Sequence, residues 1–167
     1  GEPVRICTWP TSFKGAMGER NFLMLDEQGK HAAYANSSWV YMDRSKGRPV
    51  KPSEEEAERY GLEEPLDMEY APRRIALPEQ TAEGERFPVR KYHIDTNEHV
   101  NNCQYVQMAL EALGEELNVR QARVEYKKSA VYGDRILPRI AKEKERTVVE
   151  LCDTEARPYA IVEFIGE

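Results

Sequence analysis

Asp95, Asn97 and His99 stand at alternate positions in the run Tyr92-His93-Ile94-Asp95-Thr96-Asn97-Glu98-His99-Val100-Asn101-Asn102-Cys103-Gln104-Tyr105, and nowhere else do so many reactive polar groups gather. A carboxylate can activate water, an amide can orient that water or a carbonyl, and an imidazole can bind or shuttle a proton. If the run is extended, the three project to one side. Each residue also has an ordinary explanation: Asp95 and Asn97 as turn residues bonding their own backbone, Asn101 as a helix cap. The constellation as a whole reads as an active site.

A helix must stand directly behind it. Val106, Ala109, Leu110 and Leu113 follow the spacing of one helical face, and Cys103, Tyr105, Met108 and Ala112 widen that face. The pattern predicts a helix from Asn102 to Leu113, ended by Gly114 and wrapped by other structure around most of its circumference. Its N-terminal N–H groups, near Asn101 and Asn102, have no partner inside the helix and carry partial positive charge. That end suits a developing oxyanion.

Metal chemistry fits poorly. The Asp-x-Asn-x-His run begins like a calcium loop, but Val100 stands where the turn needs Gly and Val106 where a bidentate Glu is needed. His93, His99 and Cys103 have neither CxxC nor HExxH spacing for zinc. No metal and no cofactor are expected.

The run Asp95-x-Asn97-x-His99-Val100-Asn101-Asn102-x-x-Tyr105 resembles the signature of the plant and bacterial acyl-acyl carrier protein thioesterases. Val124-Glu125-Tyr126-Lys127-Lys128, running on to Gly133-Asp134, resembles the strand after the helix in that family. Upstream, Thr8-Trp9-Pro10, Arg20-Asn21-Phe22, Tyr34-Ala35-Asn36-Ser37, Trp39-Val40 and Gly47-Arg48-Pro49 extend the likeness over nearly the whole chain. The resemblance implies an α+β chain of tandem hotdog domains, each an antiparallel sheet wrapped around a central helix, and a hydrolase releasing fatty acid in fatty acid biosynthesis. On this reading residues 1–76 are the C-terminal part of a first hotdog whose central helix is missing, 77–85 a linker, and 86–167 a complete second hotdog carrying the site. Either the sequence is a piece of a longer chain or another chain covers the first sheet.

Candidate roles follow from the residue types themselves, because the base usually credited in that family is a Glu that this chain lacks. Asp95, Asn97 and His99 are the expected catalytic residues, with Asp95 as general base; Asn101, Asn102 and Ser129 are expected at the substrate or oxyanion. Plant members continue the strand after Lys128 with a catalytic Glu and Cys, where this chain has Ser129 and Ala130. A cysteine nucleophile is thereby excluded at that place, and Cys103 lies on the helix instead. Glu125 shares a strand face with Ser129 but stands roughly 13 Å from it. Two other classes stay open: a hotdog that binds acyl chains or carrier without turnover, and a hotdog dehydratase.

Composition narrows the partners. The net charge of −6 argues against nucleic acid as partner. Residues 117–142 are locally basic, with seven Lys and Arg against Glu125 and Asp134. Arg120, Arg123, Lys127 and Lys128 of this stretch are the expected docking residues for an acidic acyl carrier protein. No run approaches the about 18 apolar residues of a membrane helix, and the start lacks a basic-then-apolar signal pattern, so a cytoplasmic protein with no membrane partner is expected. Cys7, Cys103 and Cys152 suit reduced thiols. A homodimer through exposed sheet edges is a further expectation.

Other elements follow from local signals. Val4 to Trp9 reads as a strand stopped by Pro10, and 21–42 as a hairpin turning at Asp26-Glu27-Gln28-Gly29. Ser53 and Glu56 form a capping box for a short acidic helix that Gly61 ends. Leu62 to Glu85, rich in Pro, Glu and Gly, reads as connecting chain. Phe87 to Tyr92, Ala122 to Lys127, Ile136 to Lys142, Thr147 to Asp153 and Tyr159 to Ile165 read as strands, His31 as a solvated residue beside a turn and His93 as a structural residue at a strand end.

Overall fold

The computed structural model describes residues 1–166, and the chain divides into two compact units between Ala71 and Pro72. That boundary falls inside the stretch read as connecting chain.

The first unit is a meander of β1 (Arg5–Lys14), β2 (Met17–Leu25) and β3 (His31–Val40), with a small β4 (Met42–Asp43) and β5 (Arg48–Pro49) pair. The expected stop at Pro10 does not occur. β1 is an edge strand, and its register shifts between Pro10 and Ser12, so a bulge accommodates the residue that cannot donate. Helix α1 (Glu54–Arg59) starts on the expected capping box: the Ser53 side chain accepts from the Glu56 amide, and the Glu56 carboxylate accepts from the Ser53 amide. This helix buries no residue. Part of the sheet's apolar surface, Ile6 and Tyr34 included, stays open to solvent, while Phe13 and Trp39 pack with Tyr60 at the end of α1.

Asn21 is the polar anchor of this unit. It is buried, and its Oδ1 accepts from the Leu66 amide at 3.0 Å and the Tyr70 hydroxyl at 3.1 Å, while Trp9 Nε1 donates to the Glu64 carbonyl at 2.9 Å. Residues 64–70, expected to be plain linker, are thus bonded onto the sheet.

The second unit is a hotdog. β8 (Val119–Tyr126), β9 (Arg135–Lys142), β10 (Arg146–Cys152) and β11 (Pro158–Gly166) form an antiparallel sheet in the order β9-β10-β11-β8, and short β6 (Ala82–Glu83) and β7 (Phe87–Pro88) pair along β9. Helix α2 (Asn102–Leu113) lies on one face, packing Tyr105, Met108, Ala109 and Leu113 against Val149, Leu151, Val162 and Phe164. Gly114 takes the left-handed conformation that ends it.

The helix is covered along one side rather than around most of its circumference, since Cys103, Gln107 and Leu110 are exposed. Nor does β8 simply alternate buried and exposed: Arg123 and Glu125 are half-buried while Tyr126 is exposed. The cause is a second cover on the sheet. Ile75 packs with Val148 and Ile161 on the face away from α2, its amide donating to Glu125 Oε2 at 3.2 Å. Glu163, 2 % exposed, accepts from Arg123 at 2.6 Å and Arg146 at 2.5 Å, and those guanidiniums reach on to the carbonyls of Pro72 and Ala76. Residues 72–76 are therefore a strap clamped by arginines, which explains why β10 and β11 are buried on both faces.

Asp153 fixes the β10–β11 turn. Its carboxylate accepts from the amides of Glu155 and Arg157, both at 2.9 Å, from Arg157 Nε at 3.0 Å and from Lys128 Nζ at 2.5 Å. The Lys128 ammonium, foremost, holds its pKa well below the ordinary 3.8. A carboxylate with a depressed folded pKa contributes stability that is present above its unfolded pKa and lost as pH falls through the folded one. Asp153→Asn is expected to lower the melting temperature at neutral pH and to flatten the loss of stability below about pH 4. An acid titration of unfolding with unchanged slope would contradict this.

Candidate functional site

Lys91 to His93 form one turn of 3-10 helix, so β7 stops at Pro88 and the expected strand to Tyr92 does not form. His93 is buried, with Nδ1 accepting from the Arg90 amide at 3.0 Å, and burial lowers its pKa. Its carbonyl accepts from the Asn101 amide at 2.8 Å. His93 thereby ties the approach of the loop to its exit.

Between those points the chain is a tight turn rather than an extended run. Ile94 bridges Val100, the Asp95 amide donates to the His99 carbonyl at 2.8 Å, and the Glu98 amide donates to the Asp95 carbonyl at 3.1 Å. Glu98 takes φ 63°, a conformation that side chains other than glycine and asparagine seldom adopt. The alternation that would put Asp95, Asn97 and His99 on one strand face is therefore lost. The turn brings Asp95 and Asn97 together by another route: Asp95 Oδ1 accepts from the Asn97 amide at 2.8 Å, and Asn97 Nδ2 lies 3.5 Å from Oδ2. The Asn97 amide, first of all, lowers the Asp95 pKa, with His99 acting in the same direction. Asp95 is half-buried and ionised at neutral pH, whereas Asn97 and His99 are exposed.

The turn sits at the start of α2. Asn101 caps the helix, its Oδ1 accepting from the Cys103 amide at 3.0 Å while its carbonyl accepts from the Gln104 amide at 2.9 Å. Because the Asn101 amide is spent on His93, the Asn102 amide is the one at this tip without an acceptor among the described residues. The electropositive end is narrower than the sequence suggested, one N–H rather than several.

Ala130 carries the second wall of the site, which sequence reasoning missed. Its carbonyl accepts from the Val100 amide at 2.9 Å and its amide donates to the Tyr105 hydroxyl at 2.8 Å. The peptide after Ser129 is thus held against both the turn and the helix, and Ser129 stands exposed beside them. Tyr126 closes the group: its hydroxyl donates to the Asn102 carbonyl at 3.1 Å and its ring meets Tyr105 edge-on. Tyr105→Phe is expected to cost about 1–2 kcal/mol and to speed hydrogen exchange at the Ala130 amide, since a buried donor loses its acceptor. Unaltered exchange there would show that Tyr105 holds nothing.

Arg123, Lys127 and Lys128 already serve carboxylates of this chain, Glu163 at 2.6 Å, Glu125 at 2.5 Å and Asp153 at 2.5 Å. Arg120 is exposed. A cleft of about 570 Å³ lined by Trp9, Thr11 and residues 62–65 lies in the first unit and contains none of the expected site residues. Among the described residues no group of three or more His, Cys, Asp and Glu could hold a metal ion, and no helix is long and apolar enough to cross a membrane. Cys7, Cys103 and Cys152 are free, and burial, above all, pushes the Cys152 thiol up to about 11.

Comparison with known proteins agrees across the chain. Residues 77–162 match the family model of the acyl-ACP thioesterase C-terminal domain, and residues 1–60 that of the N-terminal domain. A curated relative, the chloroplastic oleoyl-acyl carrier protein thioesterase 1 of Arabidopsis thaliana, is 28% identical over 134 residues, which cover 70% of this chain and 35% of that protein. The chain thus spans about a third of that relative's length. Among solved structures, an acyl-ACP thioesterase from Bacteroides thetaiotaomicron matches with a TM-score of 0.83 at 21% identity, over 98% of this chain and 68% of the other. The 12:0-ACP thioesterase from Umbellularia californica matches at 0.79 and 17% identity, over 98% and 67%. Likeness at such identities speaks for the fold.

Proposed function

Because the chain belongs to the acyl-ACP thioesterase family, we propose that it hydrolyses the thioester joining a fatty acyl chain to acyl carrier protein. The observation that carries this reading is the ionised Asp95, hydrogen-bonded to Asn97 in a turn set at the tip of α2. Asp95 accepts a proton from water as the water oxygen attacks the thioester carbon. Asn97 Nδ2 orients the carboxylate or that water. The Asn102 amide and the helix dipole stabilise the oxyanion, a donor of that kind being worth on the order of a hundredfold in rate. When the tetrahedral intermediate collapses, the C–S bond breaks, and the proton held by Asp95 goes to the leaving sulfur. His99 binds near the carbonyl or the departing thiol, and Ser129 adds a hydrogen bond at the rim. The products are a free fatty acid and a free thiol.

The test is thiol release from acyl carrier protein and from acyl coenzyme A across a panel of chain lengths. Thiol appearing in step with free fatty acid supports hydrolysis. Carrier binding without thiol release would make the protein a binder, and alkene formation without thiol release would make it a dehydratase.

A further inference from the structure

Exposed aromatic residues and unpaired cations meet beside the candidate site. Tyr92 is 76% exposed, Tyr132 60% and Val131 43%, large apolar surfaces that folding alone does not require. They belong to two segments held together: the Val89 amide donates to the Asp134 carbonyl at 2.8 Å, the Gly133 amide to the Val89 carbonyl at 3.3 Å, and Pro88 pairs with Arg135. Lys91 Nζ stands 5.8 Å from the centre of the Tyr132 ring.

Arg90, Lys91 and Arg135 are exposed and form no ion pair among the described residues. Asp134, the acid among them, turns inward, accepting from the Val131 amide and the Tyr159 hydroxyl, both at 3.0 Å. This contrasts with Arg123, Lys127 and Lys128, whose charges are met by Glu163, Glu125 and Asp153. A paired cation offers an incoming anionic surface little field, whereas an unpaired one beside an apolar patch offers both steering and burial.

The patch is also adjacent to the reacting groups. Val131 follows Ala130, whose carbonyl holds the Val100 amide, and Tyr92 precedes His93, whose carbonyl holds the Asn101 amide. A protein docked here could deliver a tethered thioester to the turn without either partner moving far.

We propose that Arg90, Lys91 and Arg135, with Tyr92, Val131 and Tyr132, form the docking surface for the acidic face of the protein that carries the acyl thioester. The inference rests on the proposed thioesterase reading for its substrate, but it can be separated from it by binding. The test compares the full chain with the double variant Lys91→Glu/Arg135→Glu. Two readouts are taken: binding of labelled acyl carrier protein, and hydrolysis of both the acyl carrier protein and an acyl N-acetylcysteamine thioester, which has no protein to dock. Carrier affinity and carrier kcat/KM are expected to fall about tenfold or more and to lose much of their salt dependence, with small-thioester hydrolysis unchanged. Tyr92→Ala/Tyr132→Ala is expected to weaken carrier binding without changing its salt dependence.

Arg120→Glu and Lys144→Glu serve as exposed comparators away from the patch and are expected to leave carrier binding near that of the parent. Unchanged carrier binding in the double reversal, or an equal loss on carrier and small thioester, would overturn the docking surface. Carrier binding that the reversal abolishes, in a protein that releases no thiol, would uphold the surface and reject hydrolysis. A parent that does not bind the carrier overturns the inference.

Discussion

Asp95→Asn is expected to slow thiol release from an acyl thioester by about a hundredfold to ten-thousandfold, the range that removal of a positioned general base produces. Asparagine keeps a side-chain oxygen able to accept from the Asn97 amide, which Asp95 Oδ1 does at 2.8 Å, so the turn survives the change. What is lost is the charge and the second oxygen on which a proton can land. Retained circular dichroism beside lost activity would assign the loss to chemistry. The pH profile carries a second signature. The Asn97 amide stabilises the carboxylate and lowers its pKa, so kcat/KM of the parent should show no acid limb from Asp95 until pH falls below the ordinary 3.8. Full hydrolytic rate in Asp95→Asn would remove Asp95 from the mechanism.

Glu163→Ala is expected to destabilise the second unit by on the order of 3 kcal/mol, because it leaves two guanidiniums facing one another without their shared carboxylate. Arg123 and Arg146 reach Glu163 at 2.6 and 2.5 Å and also hold the strap carbonyls, so the strap should loosen with the sheet. Amide exchange in β10 and β11 should accelerate roughly a hundredfold. Glu155→Ala breaks an exposed pair with Arg157 and should leave exchange almost unchanged. Equal, small effects of both substitutions would mean that the arginine clamp contributes nothing.

Features fixed by neighbours in sequence were legible, and those fixed by distant residues were not. Helix α2 begins and ends where apolar spacing, Asn101 and Gly114 put it, and the Ser53 and Glu56 box is local by nature. The last three strands follow from apolar runs between turns, and the existence of β8 from the alternation over Ala122 to Lys127, although its burial does not keep that alternation. By contrast, the composition of residues 62–85 speaks of a linker, and only the folded sheet reveals that Ile75 is buried against Val148 and Ile161. The same holds for charge. Arg123 and Lys128 read as free bases in sequence because Glu163 and Asp153, forty and twenty-five residues away, are not neighbours until β11 and the β10–β11 turn are in place.

At the site, residue types were legible but their geometry was not. Nothing in Asp95-Thr96-Asn97-Glu98-His99 marks Glu98 as the left-handed position, since that conformation usually selects glycine or asparagine. The turn therefore replaced the extended run that alternation suggested. The part of Ala130 was equally hidden, because a backbone group has no signature in the sequence; the motif tyrosine, Tyr105, is the side chain that could have pointed to it.

The location of the site can be tested most directly by backbone amide chemical-shift mapping with a hydrolysis-resistant 2-oxoalkyl-pantetheine thioether, in which a methylene separates the sulfur from the carbonyl. Perturbations are expected at Thr96 to Cys103 and at Ser129 and Ala130, the greatest at Asn102, whose amide is the proposed oxyanion donor. Shifts confined to the cleft beside Trp9 or to other surfaces, with Asp95 to Cys103 unmoved, would contradict the account.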